Sequence, residues 1–274
     1  MSLRKPSSLL ILAVAPLVAC GGGGGADQPP ATTAPAPAAQ TGTASIAGKV
    51  TYSGAAPEVE LVKMTADPKC KELHPDGLER AAFDLAEDGG VGGVLVYVKG
   101  VSGSFPAPSA AASLDQNGCA YSPRMLAVMA GQDLKITNSD ATLHNIHPRP
   151  KNNEEFNVGQ PRQGMETTRS FSKAELMIPV GCDVHPWMRA YISVFEHPFF
   201  AVTGADGSFS IGGLPAGDYE VEALHPTLDA TSGRVSLGDG QAGSLDLGYG
   251  AAPDAADGGN GAADEGARDA EDAG

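Results

Sequence analysis

Short runs of alternating apolar and polar residues, each closed by glycine, proline or aspartate, recur through the middle of this chain. Residues 45–52 (SIAGKVTY) alternate and stop at Ser53-Gly54. Residues 93–99 (GVLVYVK), 190–195 (AYISVF), 208–211 and 219–224 have the same character. Residues 126–129 and 134–137 read as strand, turn, strand around Ala130-Gly131-Gln132-Asp133. A period of two sends successive side chains to opposite faces of a strand. Several such strands at short spacing predict an all-β fold, a sandwich or barrel. Helix signals are poor: residues 172–175 (SKAE) predict at most one turn, with Ser172 as its cap.

The chain has 274 residues, the length of one or two domains. Hydrophobic residues make up 42%, enough for a packed core. Its 36 glycines and 21 prolines stay below collagen-like content, show no triplet period, and are unevenly spread. Residues 20–44 are almost all Gly, Ala, Pro, Thr and Gln, with a single charge at Asp27. Such a composition cannot bury a core and predicts a flexible linker about 27 Å in span. The 250–274 end predicts a disordered tail, and its seven acids and one base give −6 of the formal charge of −15. Solubility and attraction of a basic partner both fit that tail. The acidic balance argues against nucleic acid as a partner, because phosphate contacts need clustered Lys and Arg.

Arg4 and Lys5 precede an apolar stretch at 9–19, broken only by Pro16. A basic start, a short apolar core and small residues at its end predict a secretory signal over 1–19. Leu17-Val18-Ala19-Cys20 resembles the bacterial lipobox, in which the cysteine becomes the lipidated first residue of the mature protein. The alternative is an ordinary signal peptide with a chance cysteine. The lipobox resemblance implies an anchor at Cys20 and a place in the cell envelope, with membrane contact through the lipid only. Gly21 stands where inner-membrane retention usually shows Asp. Resemblance to Gram-negative lipoproteins then implies the outer membrane, on its periplasmic or surface face.

Four residues suited to one copper ion occur between 104 and 198: His144, Cys182, His185 and Met188. Cys182 to Met188 reads C-x2-H-x2-M, a compact loop, and His144 lies 38 residues upstream. A thiolate, two imidazoles and a weak axial thioether are the ligand set of a blue copper electron-transfer site. Thiolate suits Cu(I) and imidazole suits both oxidation states, so one geometry serves both. Pro186 stiffens the loop by fixing φ near roughly −65°. A buried free cysteine, a core methionine and surface histidines are the alternative reading of the same four positions.

Residues 115–196 resemble cupredoxins of the amicyanin and plastocyanin type. The resemblance rests on H-N-x-H at 144–147 and C-x2-H-P-x-M-R at 182–189. Tyr121-Ser122-Pro123, Met125, Val128, Gly131 and residues 136–138 extend it upstream. It implies a Greek-key β-sandwich, one type 1 copper, and carriage of single electrons rather than catalysis. It implies that Asn145 ties the two ligand loops together and that His185 is the exposed edge through which electrons pass. Redox proteins, such as a c-type cytochrome or a copper- or quinone-linked oxidoreductase, are the partners it implies. Leu143, Gly181 and Trp187 depart from the family's usual residues, and early strands are not evident.

A second resemblance organises the flanks. Residues 46–54, 94–100 and an A-D-G-S-F…L-P-x-G-x-Y hairpin from Ala205 to Tyr219 resemble the carboxypeptidase regulatory-like domain, a small transthyretin-like β-sandwich. In that family these strands are nearly contiguous, whereas here about a hundred residues intervene. This implies a discontinuous domain over 45–103 and 199–249, with a cupredoxin-like domain inserted over 104–198.

Of four cysteines, lipidation would take Cys20 and a metal Cys182. Cys70 and Cys119 are left for one disulfide in an oxidising compartment. A bond from Cys182 to either would abolish the copper site. His74, His147, His197 and His225 each precede a proline. They suit turns and strand ends, or a second metal site of the kind copper enzymes carry. No H-E-x-x-H, C-x-x-C-H, nucleophile elbow or P-loop occurs. Two further classes stay open: a copper-storing or metal-free surface binding module, and a copper enzyme with a second ion.

Overall fold

The computed structural model describes residues 42–65 and 67–250. Cys20, the signal at 1–19, the linker up to residue 41 and the tail from 251 lie outside the described residues.

Among the described residues the regular structure is almost entirely strand, with one six-residue helix, Pro68–Leu73. The period-two pattern is the cause. In Ala44–Tyr52 the side chains of Ala44, Ile46 and Val50 are buried, with the half-buried Gly48 in phase with them, and the residues between are not buried. That strand pairs antiparallel with Ser208–Leu214 and parallel with Ala242–Ser244 and Leu247–Tyr249. A second sheet runs in the order Phe200–Val202, Leu95–Val98, Gly217–His225, Leu228–Leu237. The two sheets enclose a core that includes Ile46, Val50, Val96, Val98, Ile211 and Val221. Every residue of Leu95–Val98 is buried, as in a strand covered on both faces. Its outer face, Leu95 and Tyr97, packs on Met125 and Phe195.

Met125 and Phe195 belong to a second pair of sheets. One is ordered Met165–Arg169, Leu134–Asn138, Ala112–Asn117, Ala120–Ser122. The other is ordered Val158–Gln160, His144–Pro148, Glu175–Gly181, Arg189–Phe195, Met125–Met129. Leu114, Leu134, Ile136, Ile146, Ile178 and Ile192 fill the space between them. Met125–Met129 and Leu134–Asn138 lie in different sheets, so the turn at 130–133 carries the chain across the core. The early strands not evident in the sequence are Ala112–Asn117 and Ala120–Ser122. Their turn, Gly118-Cys119, has φ of +63° and +56°, the two positive values that a type I′ turn needs.

One local expectation is corrected. The 205–219 motif is a corner rather than a hairpin, because Ser208–Leu214 and Gly217–His225 pair in different sheets. Ile211 and Leu214 face the core from one sheet, and Val221 and Ala223 face it from the other. The Tyr219 hydroxyl closes this corner by donating to the Pro215 carbonyl at 2.7 Å. At 172–175 no helical turn forms. Asn153 Oδ1 accepts from the Ser172 and Lys173 amides, each at 2.9 Å, and Glu175 opens the strand Glu175–Gly181.

The short helix begins at Asp67. Its Oδ1 accepts from the Lys69 and Cys70 amides at 2.6 and 3.2 Å, and Pro68 suits the first helical position. Six residues are too few for a helix to persist alone. A disulfide from Cys70 to Cys119 fastens it to the second pair of sheets. Closing a loop across 49 residues contributes about 4 kcal/mol in the chain-entropy account.

His197 is buried against Phe195 and Phe199. Burial pushes its imidazole down from 6.5 to about 4. As pH falls through 6.5 the unfolded chain takes up a proton that the folded ring refuses until about 4. Stability is therefore full above that window and lost within it, by up to about 3 kcal/mol. His197→Gln is expected to flatten the fall in urea-unfolding stability between pH 6.5 and 4. His225, held down to about 4 chiefly by burial, keeps its own share. An unchanged slope in the variant would contradict the assignment.

Candidate metal centre

Two neighbouring loops supply the donors. The first, at 139–143, joins Leu134–Asn138 to His144–Pro148. Asn138 shapes it: Oδ1 accepts from the Asp140 amide at 3.0 Å, and Nδ2 donates to the Thr142 carbonyl at 2.9 Å. His144 follows as the first residue of its strand, fully buried. The second loop, at 182–188, joins Glu175–Gly181 to Arg189–Phe195. It is closed by the Met188 amide donating to the His185 carbonyl at 2.9 Å and the Cys182 amide to the Met188 carbonyl at 3.4 Å. Cys182, His185 and Met188 are buried, whereas Asp183, Val184 and Pro186 are exposed. A spacing of three thus turns the first, fourth and seventh residues of the loop inward.

His144 Nδ1 and His185 Nδ1 lie 2.9 Å apart, and Cys182 Sγ lies 3.7 Å from His185 Nδ1. One donor atom from each of the three residues falls within 4.8 Å of the others. Met188 is buried in the same apolar cluster as Cys182. Among the described cysteines Cys182 is the free one, since Cys70 and Cys119 are bonded together. Asn145 Oδ1 accepts from the Asp183 amide at 2.7 Å and lies 3.1 Å from Cys182 Sγ, so this side chain spans the two loops. Beneath them the Tyr121 hydroxyl reaches the Asn145 and Gly181 carbonyls at 2.6 and 2.9 Å.

The expected exposure of His185 is corrected: the residue is fully buried. The Trp187 ring packs on it at 5.0 Å between centroids, and Cys70 Sγ lies 3.8 Å from its Nε2. The segment that begins at Asp67 covers the edge left open in the sequence reading.

Two carboxylates escaped the sequence reading. Asp140 Oδ2 lies 2.9 Å from His144 Nε2, and the same carboxylate accepts from the Gly118 and Cys119 amides at 2.8 and 2.7 Å. Asp67 Oδ2 lies 3.3 Å from His185 Nε2 and accepts from the Thr142 hydroxyl at 2.8 Å. An ionised carboxylate only accepts, so each facing Nε2 carries a proton, and the two Nδ1 atoms are the ones that meet near the sulfur. The spacing Asp140-x3-His144 and the pair Asp67-Pro68 were the available signals. Among the described residues, none of His74, His147, His197 and His225 joins a metal-type cluster. His147 instead bonds Glu155 at 2.6 Å and Asp183 at 3.0 Å.

Burial opposes charge on the Cys182 thiol, yet His144 and His185 outweigh it and bring the thiol down to about 6. Burial likewise opposes a charged His144, but Asp140 and Cys182 hold it up at about 9. Burial raises the Asp140 carboxyl, and His144 with the Cys119 and Gly118 amides pulls it below the usual range. A thiolate, an imidazolium and a carboxylate therefore share one enclosed space at neutral pH.

The fold and the cluster define an all-β protein with a buried His–Cys–His group at the end of one sandwich. No protein-family model and no curated protein matches the chain. Among solved structures, a copper-containing nitrite reductase from Thermus scotoductus SA-01 is 19% identical with a TM-score of 0.31, over 36% of this chain and 25% of its own. The chain thus spans only a quarter of that reductase. A purple cupredoxin from Nitrosopumilus maritimus is 23% identical with a TM-score of 0.27, over 30% of this chain and 98% of its own. An amicyanin variant in the Cu(I) state is 22% identical with a TM-score of 0.28, over 36% of this chain and 97% of its own.

In the metal-free protein the ultraviolet absorbance of the thiolate is expected to titrate with a midpoint near pH 6. His144→Gln removes the imidazolium beside it and should move that midpoint up toward the ordinary thiol value of about 8.5. A midpoint unmoved by the substitution would separate His144 from the sulfur.

Proposed function

We propose that this protein carries single electrons by way of one type 1 copper ion, which His144, Cys182 and His185 would hold, with Met188, buried in the same cluster, as a further weak donor. The observation that carries the reading is the meeting of two imidazole nitrogens and one free thiol within 4.8 Å, all buried. The donor chemistry fits: a soft thiolate with two imidazoles suits copper in both oxidation states. Bonds of the lengths zinc makes to these donors, roughly 2.0 Å to nitrogen and 2.3 Å to sulfur, would space them roughly 3.3–3.7 Å apart. The sulfur–imidazole distance of 3.7 Å matches, and the imidazole pair at 2.9 Å needs only a small parting.

Copper supplies a one-electron couple. The residues of the chain supply the rest. Cys182, brought down to about 6, is a thiolate at neutral pH. Asp140 keeps one proton of His144 on Nε2, so the proton that a bound ion would displace is the one on Nδ1. Asn145 fixes the spacing of the two loops, and burial keeps bulk water from the sulfur.

The setting belongs to the same proposal and rests on sequence resemblance. A lipid on Cys20 holds the chain in the bacterial cell envelope, at the outer membrane. The outer sandwich is a carboxypeptidase regulatory-like support around an inserted cupredoxin-like domain. A c-type cytochrome or a copper- or quinone-linked oxidoreductase exchanges electrons with it.

Loaded with one equivalent of Cu(II), the protein should show an intense visible band from thiolate-to-copper charge transfer and a reversible one-electron wave in voltammetry. Cys182→Ser should abolish the band. Tight copper binding with neither signal would sink the carrier reading and leave copper storage. Two metal ions per chain in elemental analysis would point to a copper enzyme.

A further inference from the structure

We propose that Asp67 is a positioning residue for His185, and that the helix Pro68–Leu73, fastened by the Cys70–Cys119 disulfide, is a fixed cover over that imidazole. The ligand role of His185 rests on the copper reading above; the cover itself does not.

The geometry of Asp67 is two-sided. Oδ1 is held by the Lys69 and Cys70 amides at 2.6 and 3.2 Å. Oδ2 is thereby aimed away from the helix, at the Thr142 hydroxyl at 2.8 Å and His185 Nε2 at 3.3 Å. Thr142 lies two residues before His144, so one carboxylate touches both donor loops. An acceptor on Nε2 fixes the proton there and leaves Nδ1 as the lone pair toward Cys182. Asp67 is 118 residues from His185 in sequence, so no local turn enforces the contact. The disulfide does.

That disulfide has a second reach. Cys119 sits in the turn whose amides hold Asp140, the carboxylate behind His144. Cys70 sits in the helix whose first turn holds Asp67. One covalent bond therefore ties together the supports of both imidazoles. The Trp187 indole completes the cover, donating from Nε1 to the Cys119 carbonyl at 3.1 Å while its ring lies on His185. Turning His185 outward would break the Asp67 contact and displace Cys70 and Trp187 together.

The test has one arm without metal and one with it. In the metal-free protein, acylation of histidines by diethyl pyrocarbonate is followed residue by residue by mass spectrometry. His185 should react faster in Asp67→Ala than in the wild type, and faster again in the double variant Cys70→Ser with Cys119→Ser. In the copper-loaded protein, Asp67→Asn should lower copper affinity by roughly 10–100-fold, as expected for loss of an outer partner of a ligand. It should also raise the reduction potential, because a negative charge beside the site favours the more positive ion. An unchanged His185 acylation rate in Asp67→Ala, or an unchanged or lowered potential in Asp67→Asn, overturns the proposal. Should the disulfide variant fail to fold, the two Asp67 variants still decide. Should the wild type bind no copper, the carrier reading fails while the acylation arm still reads the cover.

Discussion

Each imidazole in the pocket is engaged at both of its nitrogens. His144 and His185 meet through Nδ1 at 2.9 Å, and each Nε2 faces a carboxylate, Asp140 at 2.9 Å and Asp67 at 3.3 Å. A ring held at both ends cannot rotate about its χ angles without breaking two contacts. Buried polar groups left unpaired are costly, so these partners are requirements of the fold as much as features of the site. The loop shaped by Asn138, the turn at Gly118-Cys119 and the helix begun by Asp67 all bring a partner to one of these two rings.

The two pairs of sheets give the pocket a firm base. Leu95–Val98 is buried on both faces, and its Leu95 and Tyr97 pack with Met125 and Phe195 from the other sandwich. Phe195 ends the strand that begins just after the Cys182 loop. The packing that joins the sandwiches is therefore continuous, through one strand, with the segment that presents Cys182, His185 and Met188.

Local periodicity explains what was legible in the sequence. Alternation in 45–52 marked a strand with one covered face, whereas 190–195 sends apolar side chains into a core on each face. The spacing C-x2-H-x2-M marked a loop whose first, fourth and seventh side chains share a side, and they are the buried ones. Where two segments had to be matched across space, the sequence was mute. Asp67 lies 118 residues from the ring it faces, and a helix of six residues leaves almost no periodic trace. His185 therefore read as an open edge, although a distant segment covers it. The 205–219 motif misled for a related reason. Its turn residues suit a hairpin and a corner alike, and only the partner strand Ala44–Tyr52 decides between them.

The disulfide also alters what a severed backbone would mean for this molecule. Ser102, Gly103 and Ser104 are exposed in a stretch without regular structure, and that stretch lies between Cys70 and Cys119. Hydrolysis of one peptide link there would leave two polypeptides on a single covalent frame, with the lid still bolted to its floor. Parting the pieces would take a reductant as well as a protease.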